Sequence, residues 1–290
     1  MIKGSFAKAN KDSLNKLISS LKDNEKLKNY QIDENNVLFF MNYLENTEAC
    51  EKCKSLDSCP YATKGYYARI VHENYYDLTY HECDFLKLEK KKQHLKNNAK
   101  YLYMNGINAN ILLKEYDISS PERMKKVEYL HHFISDYKNG KIDKGLFLCG
   151  RFGTGKTYLL TCFANELALN NIKSIMVYFP DLVRNLKSSI SNNTLEERIN
   201  ELKNIDILIL DDFGAELMTP WIRDDVFSPI INYRYQQNLP IFISSNADFD
   251  DLTLNLSCGE TKTINESKAL RIIDRIKAMV IRSSLDKRFR

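Results

Sequence analysis

The eight residues from Gly150 to Thr157, GRFGTGKT, decide the fold predicted for this chain. They follow the apolar run KGLFLC and precede a segment with a helical pattern from about Lys156 to Asn170. A loop of the form GxxxxGK[ST] between a strand and a helix is the signature of a phosphate-binding P-loop. Its glycines let backbone N–H groups turn towards phosphate oxygens, and the helix start adds partial positive charge.

This loop supplies most of the predicted nucleotide contacts. The residues expected to bind ATP are Gly150, Gly153, Thr154, Gly155, Lys156 and Thr157. Lys156 should reach the outer phosphates, and the Thr157 hydroxyl should bind Mg²⁺. The loop therefore predicts ATP and Mg²⁺ as ligands.

Apolar runs alternate with helical patterns on both sides of the loop. The runs at 145–149, 174–179, 206–210 and 240–244 are predicted strands. Strand–helix–strand repetition predicts an α/β fold with a central parallel sheet flanked by helices.

A helix is predicted upstream of the first of these strands. Ser120 should cap it, Pro121 suits its first turn, and Gly140 should close it. Five side chains form its expected buried stripe: Met124, Val127, Leu130, Ile134 and Tyr137.

Polar side chains end two of the predicted strands. IDILILDD ends in Asp211 and Asp212, and LPIFISSN ends in Asn246. In P-loop enzymes, one carboxylate after a strand holds the metal and a second orients or deprotonates the attacking water. Asp211 is the predicted magnesium ligand and Asp212 the predicted base. The Asn246 amide is a candidate to hold the water.

Length and charge set the class of protein. A chain of 290 residues and 33.8 kDa suits two domains, and its apolar runs are too short to cross a membrane. The first twenty residues lack the apolar stretch of a secretion signal, so a cytoplasmic location without membrane contact is expected. Residues 262–290 carry nine Lys or Arg and three acids, a charge of +6. Such a terminus suits a phosphate-bearing partner, although a solvated helix face has the same composition.

Four cysteines fall close together in the first third of the chain: Cys50, Cys53, Cys59 and Cys83. Thiolates at such spacing favour a tetrahedral Zn²⁺ site, and disulfides would not persist in a reducing cytoplasm. The site should be structural. His81 and His72 are alternatives to Cys83 as the fourth ligand, and four metal-free cysteines are the alternative to the site itself.

The motifs together resemble a known superfamily. GRFGTGKT, LILDD and ISSN look like the AAA+ ATPases. The block from Asp211 to Asn246, DDFGAELMTPWIRDDVFSPIINYRYQQNLPIFISSN, resembles the bacterial replicative helicase loaders of the DnaI type. ALRIIDRI and the terminal KRFR agree with that family. The resemblance is close over about residues 119–290 and looser upstream.

Roles for individual residues follow from the resemblance. It implies that Lys156 and Thr157 are Walker A residues, Asp211 and Asp212 the Walker B pair, and Asn246 the sensor-one residue. Many superfamily members have Glu where this chain has Asp212. The shorter side chain holds its carboxylate further back, so slow hydrolysis is expected.

The resemblance also implies self-assembly into a ring or spiral. Arg275 in IIDRI aligns with the arginine finger, which enters the site of the neighbouring subunit, and Arg271 is the substitute. Three segments are predicted: a helicase-interacting zinc domain over 1–95, a linker over 96–118, and an AAA+ domain without a helical lid over 119–290.

The partners implied are the replicative hexameric DNA helicase and single-stranded DNA. Tyr178 and Phe179, near Arg184 and Lys187, have the aromatic and cationic character used to bind single strands. The two aromatic residues equally suit a protein core.

The resemblance predicts an ATP-dependent loader of the replicative helicase, acting in primosome assembly and in the initiation or restart of DNA replication. Three alternatives stay open. They are an IstB-type transposition helper ATPase, a P-loop phosphotransferase acting on a small molecule, and a non-hydrolysing adaptor.

Overall fold

The structure, a computed structural model, describes residues 3–61, 63–72, 74–104, 111–189, 195–216, 218–257 and 262–286. The chain divides into two units, Met1–Lys91 and Lys92–Arg290. The terminal KRFR lies outside the described residues. No helix within the described ranges is both long and apolar enough to cross a membrane.

The smaller unit combines helices with a β-hairpin. Its helices are α1 (Lys3–Lys22) and α2 (Val37–Glu51), and the antiparallel strands are β1 (Tyr66–His72) and β2 (Tyr76–Glu82). Seven buried side chains form its core: Ile18, Leu21, Leu27, Ile32, Val37, Phe40 and Leu44. Tyr76 packs edge-on against Phe40, with ring centroids 4.9 Å apart. Helix α3 (Asp84–Asn98) carries the lysine-rich run and includes the boundary between the units.

The larger unit is built on a six-stranded parallel sheet. Its strands are β3 (Ala99–Leu102), β4 (Gly145–Cys149), β5 (Ser174–Tyr178), β6 (Ile207–Asp211), β7 (Ile241–Ser245) and β8 (Val280–Ser284). Their order across the sheet is β3-β5-β6-β7-β4-β8. Strands β6, β7 and β4 are therefore neighbours. Because parallel strands end at the same edge, the residues that follow these three strands meet there.

Helices surround this sheet. They are α4 (Pro121–Lys138), α5 (Lys156–Leu169), α6 (Phe179–Ser189), α7 (Leu195–Asn204), α8 (Ser228–Gln236), α9 (Phe249–Leu256) and α10 (Lys262–Met279). A short turn of 3₁₀-helix (Leu113–Glu115) precedes α4, and a π-helical segment (Ile222–Phe227) leads into α8.

Successive strand residues face two different hydrophobic clusters. Phe147 belongs to the cluster formed with α6 to α10, whereas its neighbours Leu146 and Leu148 belong to the cluster formed with α4 and α5. This alternation is the expected result of a sheet covered on both faces. The predicted central parallel sheet flanked by helices is confirmed.

Helix α4 starts as predicted and buries the predicted stripe except at Met124, with Val127, Leu130 and Ile134 in the core. The Ser120 hydroxyl accepts from the Arg123 N–H at 3.3 Å, and Gly140 has φ +79°. Met124 is 42% exposed, so its predicted burial is wrong. Arg123 and Lys126 are buried although both are charged. Asp117 forms an ion pair with Arg123 and Glu122 with Lys126, which offsets the cost of burying the two charges.

The segment predicted as a linker, 96–118, carries part of the larger unit. Strand β3 pairs with β5 at the sheet edge, and Leu113 is fully buried against α4 and α5. These contacts make the described parts of the segment belong to the larger unit rather than to a linker between two domains. The prediction for 96–118 therefore differs from the structure, because a four-residue strand after a lysine run has no readable period.

Candidate nucleotide-binding site

The P-loop runs between β4 and α5, and its shape depends on glycine. Gly150 has φ +152°, and a Cβ there would lie 2.1 Å from the Leu285 carbonyl oxygen. Gly155 caps α5 with φ +90°, a conformation that other residues rarely adopt. The loop therefore turns sharply into a 14-residue helix whose N-cap, Gly155, makes no side-chain cap hydrogen bond, and the N-terminus of such a helix favours an anion.

Lys156 is held inside this loop. Its Nζ donates to the carbonyl oxygens of Gly150 at 2.7 Å and Arg151 at 3.0 Å, and to Asn246 Oδ1 at 2.8 Å. Burial lowers the pKa of Lys156, and the nearby carboxylates of Asp212 and Asp211 oppose that shift. The ammonium thus lies where the outer phosphates of a nucleotide are expected.

Asp211, the last residue of β6, is 2% exposed. Its carboxylate accepts from Thr157 Oγ1 at 2.9 and 3.0 Å and from Ser244 Oγ at 2.6 Å. Burial raises the pKa of Asp211, whereas the hydrogen bonds from Ser244 and Thr157 lower it. A carboxylate beside a hydroxyl matches the oxygen donors that Mg²⁺ prefers, so the donor set fits this metal.

Asp212 adopts an unusual backbone conformation at the end of the strand. Its φ is +57°, which is uncommon for a non-glycine residue and is found at functional sites. The Asp212 N–H donates to Ser244 Oγ at 2.9 Å, and Asn246 Nδ2 donates to Asp212 Oδ1 at 2.6 Å. The turn directs the Asp212 side chain to the Asn246 amide.

One amide therefore links the lysine and the second aspartate. Asn246 accepts from Lys156 at its oxygen and donates to Asp212 from its nitrogen. These three groups and Thr157 line an open cavity of about 380 Å³ together with Asp211. With Gly153, Thr154 and Gly155, which also line it, the cavity gathers eight of the predicted nucleotide-site residues.

Four further side chains line the cavity without having been predicted to do so: Phe152, Tyr158, Tyr178 and Ser244. Phe152 is 78% exposed. Burial raises the pKa of the Tyr178 phenol, and the charge of Asp212 raises it further. Tyr178 was predicted as a candidate for DNA contact or for the core, and no sequence signal places it beside this carboxylate.

Arg275 lies elsewhere, on α10, and does not line the cavity. Its side chain is half-buried, and its buried Nη1 has no hydrogen-bond partner among the described residues. Arg271, its substitute, is exposed. The predicted role of Arg275 as an arginine finger stays a prediction.

Polar contacts fix α10 to the segment that follows β6. Arg223 is fully buried and donates to Asp224 Oδ1 at 2.7 Å and to Asn265 Oδ1 at 2.8 Å. Lys268 donates to Asp224 Oδ2 at 2.7 Å. Asn265 and Lys268 belong to α10, so the helix that carries Arg275 is held against the π-helical segment.

The four predicted zinc ligands lie near one another in the smaller unit. All four are half-buried free thiols: Cys50, Cys53, Cys59 and Cys83. Partial burial raises the pKa of Cys50, and the three other thiols raise it further. Gly65 connects two of them, because its N–H donates to Cys59 Sγ at 3.4 Å and its carbonyl accepts from the Cys83 N–H at 2.8 Å.

The geometry does not confirm a metal site. Across the part of the chain that the structure describes, no group of three or more His, Cys, Asp or Glu side chains is arranged to hold a metal ion. The donor chemistry suits Zn²⁺, but the arrangement is not that of a formed site. The alternative ligands have other contacts: the His81 ring lies 3.2 Å from Thr79 Oγ1, and His72 packs on Tyr76.

Comparisons with known proteins place this geometry in a family. The family model described as IstB-like ATP binding protein matches residues 59–276. The chain is 35% identical over 260 residues to the replicative helicase loader DnaI of Bacillus subtilis (strain 168), covering 88% of this chain and 83% of that protein.

Solved structures agree with this assignment. The crystal structure of DnaI matches with 38% identity and a TM-score of 0.58, over 66% of this chain and 96% of that one. A putative primosome component from Streptococcus pyogenes serotype M3 matches with 28% identity and a TM-score of 0.58, over 69% and 99% of the two chains. The resemblance drawn from the motifs is confirmed. The chain belongs to the IstB-like ATP-binding proteins and, within them, to the DnaI type.

Proposed function

We propose that this protein is an ATP-dependent loader of the replicative DNA helicase. The similarity to DnaI over 88% of the chain carries the proposal. The larger unit, Lys92–Arg290, accounts for 290 minus 91, or 199, residues, so an alignment of 260 residues extends well into the smaller unit. A relationship over both units favours a loader over an IstB-type transposition helper, which the ATP-binding family alone leaves open.

Lys156 is the proposed phosphate-binding cation. Three oxygens now accept its hydrogen bonds, from Gly150, Arg151 and Asn246. Phosphate oxygens would replace some of these acceptors, with Gly153, Thr154 and Gly155 lining the same cavity. When Lys156 turns to the phosphates, Asn246 Oδ1 becomes free to accept a hydrogen bond from water.

Thr157 and Asp211 are the proposed magnesium ligands, supported by their contact at 2.9 Å. Bound Mg²⁺ would neutralise charge on the phosphate oxygens. Asp212 is the proposed base for the attacking water, and Asn246 holds its carboxylate at 2.6 Å. Because Asp212 is one methylene shorter than Glu, the proposed hydrolysis is slow and depends on stimulation by DNA or a partner.

Arg275 is the proposed arginine finger of an assembled ring or spiral. Its half-buried side chain, with an Nη1 that has no hydrogen-bond partner among the described residues, lies on a helix anchored through Asn265 and Lys268, which supports a positioned arginine on this helix. Assembly and hydrolysis would then be coupled, since neither subunit alone has a complete site.

A structural Zn²⁺ in the smaller unit is also part of the proposal. Cys50, Cys53, Cys59 and Cys83 would hold it, supported by four free thiols of matching chemistry. The ion would stabilise a unit whose described core has seven buried hydrophobic residues. This unit is the proposed contact to the helicase.

Single-stranded DNA is the second proposed partner. Arg184 of α6 has a side chain that is 79% exposed and pairs with Asp181 at 3.0 Å. Phe179 is buried in the core, which leaves cations rather than this ring to meet the DNA. The side chain of Lys187 lies outside the described residues. A cytoplasmic location completes the proposal.

Co-purification tests this function directly. The full-length tagged protein is mixed with the replicative helicase of the same organism, with and without ATP and with and without a chelator. We expect ATP-dependent retention of the helicase and its loss with the chelator. ATP turnover of the wild type should exceed that of Asp212→Asn by about 100-fold. Failure to retain the helicase under every condition rejects the loader, and filaments on target DNA would favour the transposition helper.

A further inference from the structure

One serine hydroxyl lies between the two aspartates of the proposed site. Ser244 is 1% exposed and precedes the last residue of β7. The register pairs Leu210 with Ile243, so Asp211 and Ser244 are the next residues along the two strands. Ser244 Oγ donates to Asp211 Oδ1 at 2.6 Å and accepts from the Asp212 N–H at 2.9 Å.

These two bonds act on different parts of the site. The Asp211 carboxylate has Thr157 on both oxygens and Ser244 on one, so its plane is fixed by two hydroxyls. Asp212 leaves the strand with φ +57°, and its N–H is directed to Ser244 Oγ. A polar backbone group in such a turn needs a partner, and this hydroxyl supplies it.

The Ser244 backbone adds a third contact to the same turn. Its carbonyl oxygen accepts from the Phe213 N–H at 2.8 Å. Residues 211, 212 and 213 are thus each tied to Ser244. The hydroxyl uses its donor on the Asp211 carboxylate and an acceptor lone pair on the following amide, so one side chain contacts both aspartates.

We infer that Ser244 is a positioning residue of the nucleotide site, whose hydroxyl orients the Asp211 carboxylate towards Thr157 and holds Asp212 in the turn that brings its carboxylate to Asn246. The inference rests on the proposed function, because it concerns residues proposed to hold Mg²⁺ and to activate water. Ser244 acts through these aspartates rather than on the nucleotide.

The chain offers a matched control in the next residue. Ser245 is fully buried, donates to the Phe213 carbonyl at 2.6 Å and accepts from the Ala247 N–H at 3.1 Å. It has the same side chain, the same strand and the same number of hydroxyl hydrogen bonds. None of its hydrogen bonds within the described residues joins Asp211 or Asp212 directly.

The experiment compares Ser244→Ala, Ser245→Ala and Ser244→Thr in the full-length protein. The first readout is hydrogen exchange of the Asp212 amide without nucleotide. The second is the affinity for a fluorescent ADP analogue in Mg²⁺ and in EDTA. For Ser244→Ala we expect exchange to rise about tenfold and the affinity gained with Mg²⁺ to fall about tenfold, with the EDTA affinity unchanged. Ser244→Thr keeps the hydroxyl and should restore both values, and Ser245→Ala should stay within about twofold of the wild type.

Specific results would overturn the inference. If Ser244→Ala and Ser245→Ala give the same exchange rate and the same nucleotide affinities, Ser244 has no positioning role. If Ser244→Ala does not fold, the wild type alone decides: an Asp212 amide that exchanges without protection also contradicts the positioning role. A wild type that binds no nucleotide overturns the proposed function, whereas normal wild-type binding with an unaffected Ser244→Ala overturns the role of Ser244 alone.

Discussion

The two units of this protein place their reactive side chains in opposite settings. In the larger unit, Asp211 and Lys156 are 2% and 7% exposed and fully engaged in hydrogen bonds at the edge of a sheet. In the smaller unit, the cysteines are half-buried, and Cys53 Sγ donates to the nearby Ser55 carbonyl at 3.1 Å. The sheet positions the first set, whereas the described thiols are not arranged to hold a metal ion.

Packing accounts for this difference. Two hydrophobic clusters, one on each face of the sheet, support the larger unit, and the sheet register itself sets Asp211 beside Ser244. Among its described residues, the smaller unit has one cluster of seven buried side chains around α1, α2 and the hairpin. A small core leaves folding dependent on a further constraint, and a bound metal is the usual one when four thiols are close. Each of the following variants should therefore affect one unit and leave the other unchanged.

The largest effect is expected from Cys50→Ser. Structural zinc contributes on the order of 10 kcal/mol of folding free energy, so losing one of four ligands should unfold the smaller unit. Limited proteolysis with mass spectrometry should show cleavage within residues 1–91, while ADP affinity stays within about twofold because the larger unit folds on its own core.

The control for this variant is Ser58→Ala, which removes hydroxyl contacts of the same loop to Lys54, Ser55 and Cys53 Sγ but keeps all four thiols. It should retain both metal and protease resistance. A protease-resistant Cys50→Ser, together with wild-type protein free of zinc by elemental analysis, would mean that the smaller unit needs no metal.

Arg275→Ala should cause the next largest effect, confined to the larger unit. An arginine supplied between subunits is worth about 10³ in stimulated turnover, so turnover with DNA or helicase should fall by about that factor. Binding of ADP and retention of the helicase should not change. Arg271→Ala is the matched control on the same helix. Equal turnover of the two variants would remove the finger role from Arg275.

The smallest effect concerns the pH dependence of stability in the larger unit. Burial raises the pKa of Glu216 from 4.5 to about 7, the charge of Asp212 adds to this, and the backbone N–H groups of Glu216 and Gly214 oppose it. The folded state therefore keeps a proton that the unfolded chain has lost, so the free energy of unfolding falls as pH rises from about 4.5 to about 7.

Glu216→Gln should remove this fall. At pH 8 we expect the variant to be more stable than the wild type by about 1–2 kcal/mol, with no difference at pH 4. Urea unfolding of the wild type and the variant at several pH values measures the stability difference at pH 8 and at pH 4. Glu51→Gln, at an exposed carboxylate of the smaller unit, should leave the transition of the larger unit unchanged. A wild-type curve that is flat between pH 4.5 and 7 would contradict the raised pKa.

Much of the larger unit was predictable because its signals are local. The four predicted strands lie within one residue of β4, β5, β6 and β7 at each end. Since Lys156, Asp211 and Asn246 each follow or end a strand of a parallel sheet, their meeting at one edge follows from the fold class alone. Their roles in catalysis stay predictions.

Other features depend on contacts that a single sequence does not display. The link from Ser244 to Asp211 requires the register between β6 and β7, and burial of Arg123 requires a partner six residues earlier in the chain. Strand β3 has only four residues, too few for a period. The cysteine spacing indicated zinc, but the positions of thiols around a metal depend on the metal itself.

Isothermal titration calorimetry of the full-length protein with Mg·ADP tests the central claim most directly. We expect saturable binding at one site per chain for the wild type and a loss of at least about 100-fold in affinity for Lys156→Ala, because the phosphates lose their buried cation. Folded wild-type protein that shows no binding, or a Lys156→Ala variant that binds equally well, would contradict the claim that this cavity is a nucleotide site.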